Sequence, residues 1–245
     1  MIWITGDTHG DWVHRLNMTS FPEQKEMTKD DYVIICGDFG IWNDTPKQRW
    51  NLKWLEERNF TTLFVDGNHS NFDMLNSYPV SEWHGGKVHF IKPSVIHLMR
   101  GQIFNIERKI FFTFGGARSH DIKDGILEIN DPRIKPWRKD PDKMFRINHV
   151  SWWEEEMPNK EEMAEGRENL ELAGNKVDFI ITHCTASSTQ AILSGGFYEP
   201  DKLTSYLESI KCDVDYKTWI FGHYHDNKMV TNKDICLFEQ IVRIN

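Results

Sequence analysis

Short apolar runs alternate with polar turns along this chain, and five of the runs lead directly into residues that can bind metal ions. Each run has the length of a buried strand, and Asp, Asn or His follows it within three residues. The runs are residues 2–5, 32–36, 61–65, 177–181 and 218–221, and they lead into Asp7 and His9, Asp38, Asn68 and His69, His183, and His223 and His225. Because the carboxyl ends of strands in an α/β sheet meet at one edge, where ligands usually bind, the pattern predicts one shared site.

Between these runs the spacing becomes helical and then changes to that of antiparallel strands. Residues 45–59 predict a helix that begins after Thr45, with a proline at its first position and Trp50 and Trp54 on one face, a stripe typical of a core. This helix would supply the crossover that makes the second and third strands parallel. Short runs separated by turns between residues 88 and 114 predict antiparallel strands and imply a second sheet.

The second half of the chain predicts covering helices, a terminal pair of strands and one long irregular segment. Residues 161–173 and 200–211 have the spacing of amphipathic helices, and residues 228–244 resemble hairpin strands. Residues 118–160 are charged, contain proline and show no regular period. Long irregular segments in compact domains are often functional lids, whereas a solvated insertion is the alternative interpretation.

Length and composition limit the class of protein. A chain of 245 residues can form one large α/β domain or two small ones. Since the candidate ligands come from both ends of the chain, we expect a single domain over residues 1–245, with the lid-like insertion at about 118–160. The formal net charge of −8 gives no global basic field, so binding to nucleic acid is not favoured.

Cysteine usage and hydropathy favour a soluble cytoplasmic protein. The four cysteines lie far apart without a Cys-x-x-Cys pair, as expected of reduced packing residues. No secretion signal precedes the first strand, and no apolar run approaches the roughly 20 residues of a membrane span. We therefore expect no association with a membrane.

The blocks at the strand ends resemble the motifs of a known family. Gly6-Asp7-x-His9, Gly37-Asp38, Gly67-Asn68-His69, Thr182-His183 and Gly222-His223-x-His225 are similar, in order and spacing, to the calcineurin-like metallophosphoesterase superfamily. A Gly-Gly-Ala-x-Ser block at residues 115–119 and a Trp-Trp pair at 152–153 resemble features of its bacterial and phage-type branch. The resemblance implies an α/β (α+β) fold, in which a two-sheet β-sandwich is flanked by helices in four αββα layers.

The same resemblance implies a dinuclear metal-dependent phosphoesterase, which hydrolyses phosphate mono- or diesters by attack of a metal-bridging hydroxide. The implied ligands are Asp7, His9 and His225 for one ion, Asn68, His183 and His223 for the other, and Asp38 as the bridge. Mixed oxygen and imidazole donors favour Mn²⁺, with Fe, Zn or Ni as alternatives. His69 would be the general acid, and Arg118 is the candidate phosphate clamp because a guanidinium matches phosphate bidentately.

Departures from the family pattern bear on the substrate. The protein-phosphatase branch continues its second block into Asp-Arg-Gly and ends its third in Glu, whereas residues 39–42 here read Phe-Gly-Ile-Trp and Ser70 follows His69. A small phosphorylated substrate or a nucleotide is therefore favoured over a phosphoprotein. Three alternatives stay open: a noncatalytic metal-binding scaffold for protein interaction, a serine/threonine protein phosphatase-like activity, and a nuclease, which would need a basic or aromatic track.

Overall fold

The computed structural model describes residues 1–41 and 43–244, so Trp42 of the second block lies outside the described residues. The strands are β1 (Ile2–Thr5), β2 (Tyr32–Ile35), β3 (Thr61–Phe64), β4 (Val80–Trp83), β5 (Gly86–Lys92), β6 (Val95–Leu98), β7 (Gln102–Ile106), β8 (Lys109–Phe114), β9 (Gly125–Leu127), β10 (Phe145–Ile147), β11 (Lys176–Thr182), β12 (Asp215–Phe221), β13 (Lys228–Met229), β14 (Asp234–Cys236) and β15 (Ile241–Ile244). The α-helices are α1 (Trp12–Arg15), α2 (Pro46–Glu56), α3 (Phe72–Leu75), α4 (Ile134–Trp137), α5 (Lys160–Leu172), α6 (Ser187–Ser194) and α7 (Lys202–Asp213).

Two large sheets form the centre of the molecule. The first has the strand order β15-β1-β2-β3-β6-β5-β4, and the second has the order β13-β14-β12-β11-β8-β7. Strands β1, β2, β3 and β6 are parallel to one another in the first sheet, as are β8, β11, β12 and β14 in the second. The parallel strands within each sheet therefore end at a common edge, which is the arrangement that the sequence predicts.

Three apolar clusters separate four layers. The cluster between the sheets contains side chains such as Ile34 and Leu63 from the first sheet and Ile181 and Ile220 from the second, all of them fully buried. A second cluster packs α1 and α2 onto the outer face of the first sheet, and a third packs α5, α6 and α7 onto the second. Because both faces of each sheet are covered, the central strands are almost wholly apolar. The predicted four-layer αββα fold is confirmed.

Helix α2 begins where the sequence predicts and buries a different face. The Thr45 side chain accepts a hydrogen bond from the Gln48 backbone amide at 3.3 Å, which caps the helix. The buried residues of the helix include Leu52 and Leu55, whereas Trp50 is 58% exposed. The prediction that Trp50 forms part of a core stripe is therefore wrong, because the apolar face of the helix is set by its leucines.

The sheet boundary also differs from the prediction. Strands β5 and β6 pair antiparallel, but β6 continues the first sheet by pairing with β3. The second sheet starts only at β7, after the turn at Arg100 and Gly101, and the terminal strand β15 returns to the first sheet beside β1. Pairing type follows from local turns, whereas sheet membership depends on contacts distant in sequence, which the apolar pattern does not encode.

The lid-like segment, residues 118–160, contains little regular structure. Its elements are the parallel pair β9 and β10, helix α4 and one 3₁₀ turn at Glu154–Glu156. Trp153 is buried and its indole N–H donates to Asp73 Oδ2 at 2.7 Å, so the segment is anchored to α3. No helix of the described chain has the length and apolarity needed to cross a membrane.

Candidate metal centre

The strand ends bring all seven predicted ligand residues and His69 into one cluster. Asp7 and Asp38 are buried at its base. Asp7 Oδ2 lies 3.3 Å from His225 Nε2, and Asp7 Oδ1 lies 3.6 Å from His183 Nδ1. Asp38 Oδ2 lies 3.5 Å from His183 Nε2 and 4.0 Å from His9 Nδ1.

These side chains form two overlapping groups with metal-ligand geometry. Asp7, His9 and His225 each offer a donor atom within 4.8 Å of the others, and so do Asp7, Asp38 and His183. The donors are carboxylate oxygens and imidazole nitrogens, which is the mixed set that intermediate divalent ions prefer. Asp7 belongs to both groups, and the Asp38 carboxylate of the second group lies beside His183 and also beside His9 of the first.

His183 is held in the orientation of a metal-binding imidazole. Its Nδ1 donates to the Cys36 carbonyl oxygen at 3.0 Å, and its Nε2 lies 3.1 Å from the side-chain oxygen of Asn68. A histidine ligand commonly donates its second ring N–H to a backbone carbonyl in this way, which fixes the ring and directs the other nitrogen at the metal. The Asn68 oxygen faces the same point because the Asn68 amide nitrogen donates to Ser119 Oγ at 3.4 Å.

Backbone strain is concentrated at this site. His9, Asp38, His223 and His225 have φ values of 46°, 40°, 68° and 49°. Non-glycine residues pay about 1–3 kcal/mol for such left-handed conformations, and they persist where the surrounding structure enforces them, often at functional sites. Four of the seven predicted ligands therefore hold their side chains on strained turns directly after a strand.

Two motif glycines are required by close approach. A Cβ at Gly37, where φ is +98°, would lie 2.1 Å from His183 Nδ1. A Cβ at Gly222 would lie 2.0 Å from Asp7 Oδ1. Both distances are far below any real contact, so the glycines allow the backbone to pass directly against site residues.

The buried charge of the site fits a bound cation. Burial would raise the pKa of Asp38, but the imidazoles of His183, His69 and His9 lower it well below its usual range. Burial lowers the pKa of His183, whereas Asp38 and Asp7 raise it to about 9. Among the described residues, the ion-pair partners of both carboxylates are all histidines. Buried carboxylates need compensating charge, and divalent cations on these ligands would provide it.

His69 projects from the base of the site into an open cavity. Its backbone N–H donates to Asp38 Oδ1 at 2.8 Å, while its side chain lines a cavity of about 300 Å³. Burial lowers the pKa of His69, and Asp38 opposes that shift. Both Asn68 and His69 line the cavity, but the Asn68 amide oxygen is directed at His183, whereas the His69 ring lies beside Arg146.

The lid-like segment adds site residues that the sequence reasoning missed. His120 Nε2 lies 2.9 Å from His223 Nε2, and His120, Asp121 and Arg146 all line the cavity beside His69. The sequence contained a signal for His120, because this residue follows the carboxyl end of β8, which pairs in parallel with β11. The sequence contained no such signal for Arg146, because it lies in the irregular segment, far from the end of any predicted strand.

Arg118, the predicted phosphate clamp, lies at the edge of this site. It is exposed and lines a neighbouring cavity of about 480 Å³. That cavity shares His120 and Tyr198 with the cavity at His69, and the rings of these two residues stack at 5.7 Å. The structure therefore does not bring Arg118 together with the ligands, and its role as a clamp stays a prediction.

Comparisons with known proteins identify the family. A family model described as calcineurin-like phosphoesterase matches residues 1–227. A search of curated proteins gave no match. Among solved structures, a phosphopantetheinyl hydrolase from Mycobacterium tuberculosis is similar with a TM-score of 0.41 and 14% identity, over 97% of this chain and 89% of that one. Because the family model covers most of the sequence, the chain belongs to the calcineurin-like phosphoesterase family and is a metal-dependent hydrolase that acts on phosphate esters.

Proposed function

We propose that the protein is a dinuclear phosphoesterase that hydrolyses small phosphate mono- or diesters, nucleotides included. The observation that supports it most strongly is the pair of buried carboxylates, Asp7 and Asp38, whose ion-pair partners among the described residues are histidines alone. Two divalent ions, with Mn²⁺ favoured over Fe, Zn or Ni, would balance this charge. We also propose that residues 1–245 are a single domain, since β1 and β15 pair in one sheet.

The proposed ligand assignment takes the first of the two overlapping groups whole, and from the second it takes His183 and Asp38. The ligands are Asp7, His9 and His225 for one ion, Asn68, His183 and His223 for the other, and Asp38 for both. When bound, the two ions would offset the charge of the phosphoryl oxygens and lower the pKa of a coordinated water.

The protein's own residues would then position the ester and its leaving group. The His69 imidazole faces the cavity in which the ester would bind, so it can donate a proton to the departing oxygen. Its backbone N–H bond to Asp38 fixes His69 relative to the ligands. Reaction would therefore take place between the carboxylates at the base of the site and the imidazole on its wall.

Two of the three alternative functions have less support. A noncatalytic scaffold would not need His69, and the chain has it together with every predicted ligand, which favours an enzyme. A nuclease would need an extended basic or aromatic track, whereas the described residues lining the cavity include one arginine, no lysine and two tyrosines, Tyr198 and Tyr224. This lining favours a small substrate.

A metal-supplemented substrate screen tests the proposed function. Chelator-treated protein would be assayed with each divalent ion against aryl monoesters, aryl diesters, cyclic nucleotides and nucleic acid, beside the His69→Ala variant. We expect Mn²⁺ to restore hydrolysis of a small ester by the wild type and much less by the variant. Equal activity in both proteins, or hydrolysis of none of the substrates, would contradict the proposal.

A further inference from the structure

The lid-like segment carries a guanidinium into the cavity at His69. Arg146 lies in β10, and its side chain is 17% exposed. It lines the cavity together with Asp38, Asn68 and His69, and it is the one arginine among the described residues that do so. Since β10 belongs to neither large sheet, this positive charge reaches the metal centre from an element outside the αββα layers.

Hydrogen bonds hold the guanidinium in place. Arg146 Nε donates to both oxygens of Asp121 at 2.9 Å, and Nη2 lies 2.7 Å from Asp121 Oδ2. Nη1 donates to the Ser151 carbonyl oxygen at 3.2 Å. A planar guanidinium fixed by a carboxylate loses little further entropy when it binds a ligand, so it is preorganised for an anion.

The remaining edge of Arg146 faces the reaction site. Its Nη2 lies 3.5 Å from His69 Nε2, and His69 is bonded through its backbone to Asp38. A phosphate group between the carboxylates and His69 would therefore lie within reach of Nη2. Guanidinium N–H groups match phosphoryl oxygens in geometry and charge.

We propose, on the basis of the proposed function, that Arg146 binds a nonbridging phosphoryl oxygen of the substrate. Asp121 is its positioning residue, because its carboxylate binds Nε and Nη2 and so fixes the orientation of the guanidinium, including the Nη2 group that lies beside His69. This assignment differs from the sequence-based one, which places the clamp at Arg118 in the neighbouring cavity.

Binding of inorganic phosphate to the metal-loaded protein tests the proposal independently of turnover. Arg146→Gln and Arg146→Lys would be compared with the wild type by titration calorimetry, with metal content and Tm recorded for each. Arg133→Gln is the matched control, since Arg133 also pairs with an aspartate of the lid-like segment, Asp131, but is 54% exposed. We expect Arg146→Gln to keep its metals and weaken phosphate binding about 10- to 100-fold, with Arg146→Lys in between.

The role of Asp121 has its own measurement. Asp121→Asn should weaken phosphate binding by a smaller factor than Arg146→Gln does, at unchanged Tm. Asp121→Glu should restore part of the lost phosphate affinity. A simple structural role would lower the Tm without this rescue. If Asp121→Asn and Asp121→Glu both bind phosphate as the wild type does, Asp121 is not a positioning residue.

The outcomes separate this proposal from the proposed function. If Arg146→Gln and Arg146→Lys bind phosphate as tightly as the wild type and Arg133→Gln, the assignment of Arg146 is overturned. Should Arg146→Gln fail to fold, Arg146→Lys carries the same comparison. A wild type that binds metal and phosphate through Arg146 but hydrolyses no ester would leave the assignment standing and refute the proposed function.

Discussion

Neighbouring residues of the third block face different parts of the site. Asn68 directs its amide oxygen at His183, 3.1 Å away, whereas the backbone N–H of His69 donates to Asp38 and the His69 ring lines the cavity. The turn after β3 thus separates a residue that would bind metal from one that would contact substrate. Substitutions at the two positions should accordingly have different effects.

At His69 we expect a loss of rate without a loss of metal. His69→Ala should keep its fold and its metal content but lose about 10²- to 10⁴-fold in kcat, which is the usual contribution of a general acid. The defect should shrink as the pKa of the leaving group falls, because a good leaving group needs little protonation. Steady-state kinetics with a series of aryl esters measures this dependence, and an equal defect across the series would exclude His69 as the acid.

At the scale of elements, the lid-like segment is joined to the metal centre by a chain of hydrogen bonds. Glu156, which is buried, accepts from Ser119 Oγ at 2.6 Å and from the Ser119 backbone N–H at 2.9 Å. Ser119 Oγ in turn accepts from the amide nitrogen of Asn68 at 3.4 Å. The 3₁₀ turn at Glu154–Glu156 therefore helps to orient a predicted ligand that it does not touch.

Removing the middle of this chain should weaken metal binding. Ser119→Ala deprives the Asn68 amide of its acceptor, so the side chain is freer to rotate its oxygen away from His183. Residues that orient ligands typically contribute about 10- to 100-fold in metal affinity or activity, and we expect a loss in that range. Metal titration followed by calorimetry measures it, with Ser151→Ala, in the same segment but away from Asn68, as the control.

The strand-end residues of the site could be predicted from sequence because each follows its strand within five residues. Parallel pairing brings those after β1, β2 and β3 to one edge of the first sheet and those after β11 and β12 to one edge of the second, and the packing of the two sheets joins the edges. Arg146 could not be predicted in this way, because the path of the lid-like segment is set by tertiary contacts such as the Trp153–Asp73 hydrogen bond. Tertiary contacts also decide which sheet a strand joins, so the sequence predicted the antiparallel pairing of β5 and β6 but not that both belong to the first sheet.

At the scale of the whole molecule, one buried ion pair connects the end of β3 to the lid-like segment. Asp66, directly before the third block, accepts from Arg100 Nε at 3.0 Å and Nη2 at 2.6 Å, and His97 Nε2 lies 3.2 Å from it. Arg100 also donates to the Glu155 carbonyl oxygen at 2.7 Å. Burial would raise the pKa of Asp66, but Arg100 and His97 lower it well below its usual range.

This pair should make stability depend on pH in a defined direction. Because the pKa of Asp66 is lower in the folded than in the unfolded chain, the pair stabilises the fold above about pH 4, and the contribution is lost as the pH falls below that value. Asp66→Asn leaves Arg100 with Glu162, 3.2 Å away, as its remaining ion-pair partner, so it should lower the free energy of unfolding by about 1–3 kcal/mol at neutral pH. Urea unfolding of chelator-treated protein should show a smaller difference from the wild type at about pH 3.

The surface pair of Arg167 and Asp213 supplies the control for that experiment. Asp213→Asn removes an exposed charge of the same type, so we expect little change in stability at either pH. If the free energy of unfolding of Asp66→Asn stays below that of the wild type by the same or a larger amount at acidic pH, the ionised Asp66 does not stabilise the fold.

The metal content of the purified protein, measured by mass spectrometry after loading with Mn²⁺, tests the dinuclear centre most directly. We expect two ions per chain in the wild type and fewer in Asp38→Ala, because the Asp38 carboxylate lies beside both His183 and His9. Hydrolytic activity should rise with the number of bound metal ions per chain and disappear when a chelator is added. A loaded wild type with one ion or none per chain, or full activity in metal-free protein, would contradict the dinuclear assignment.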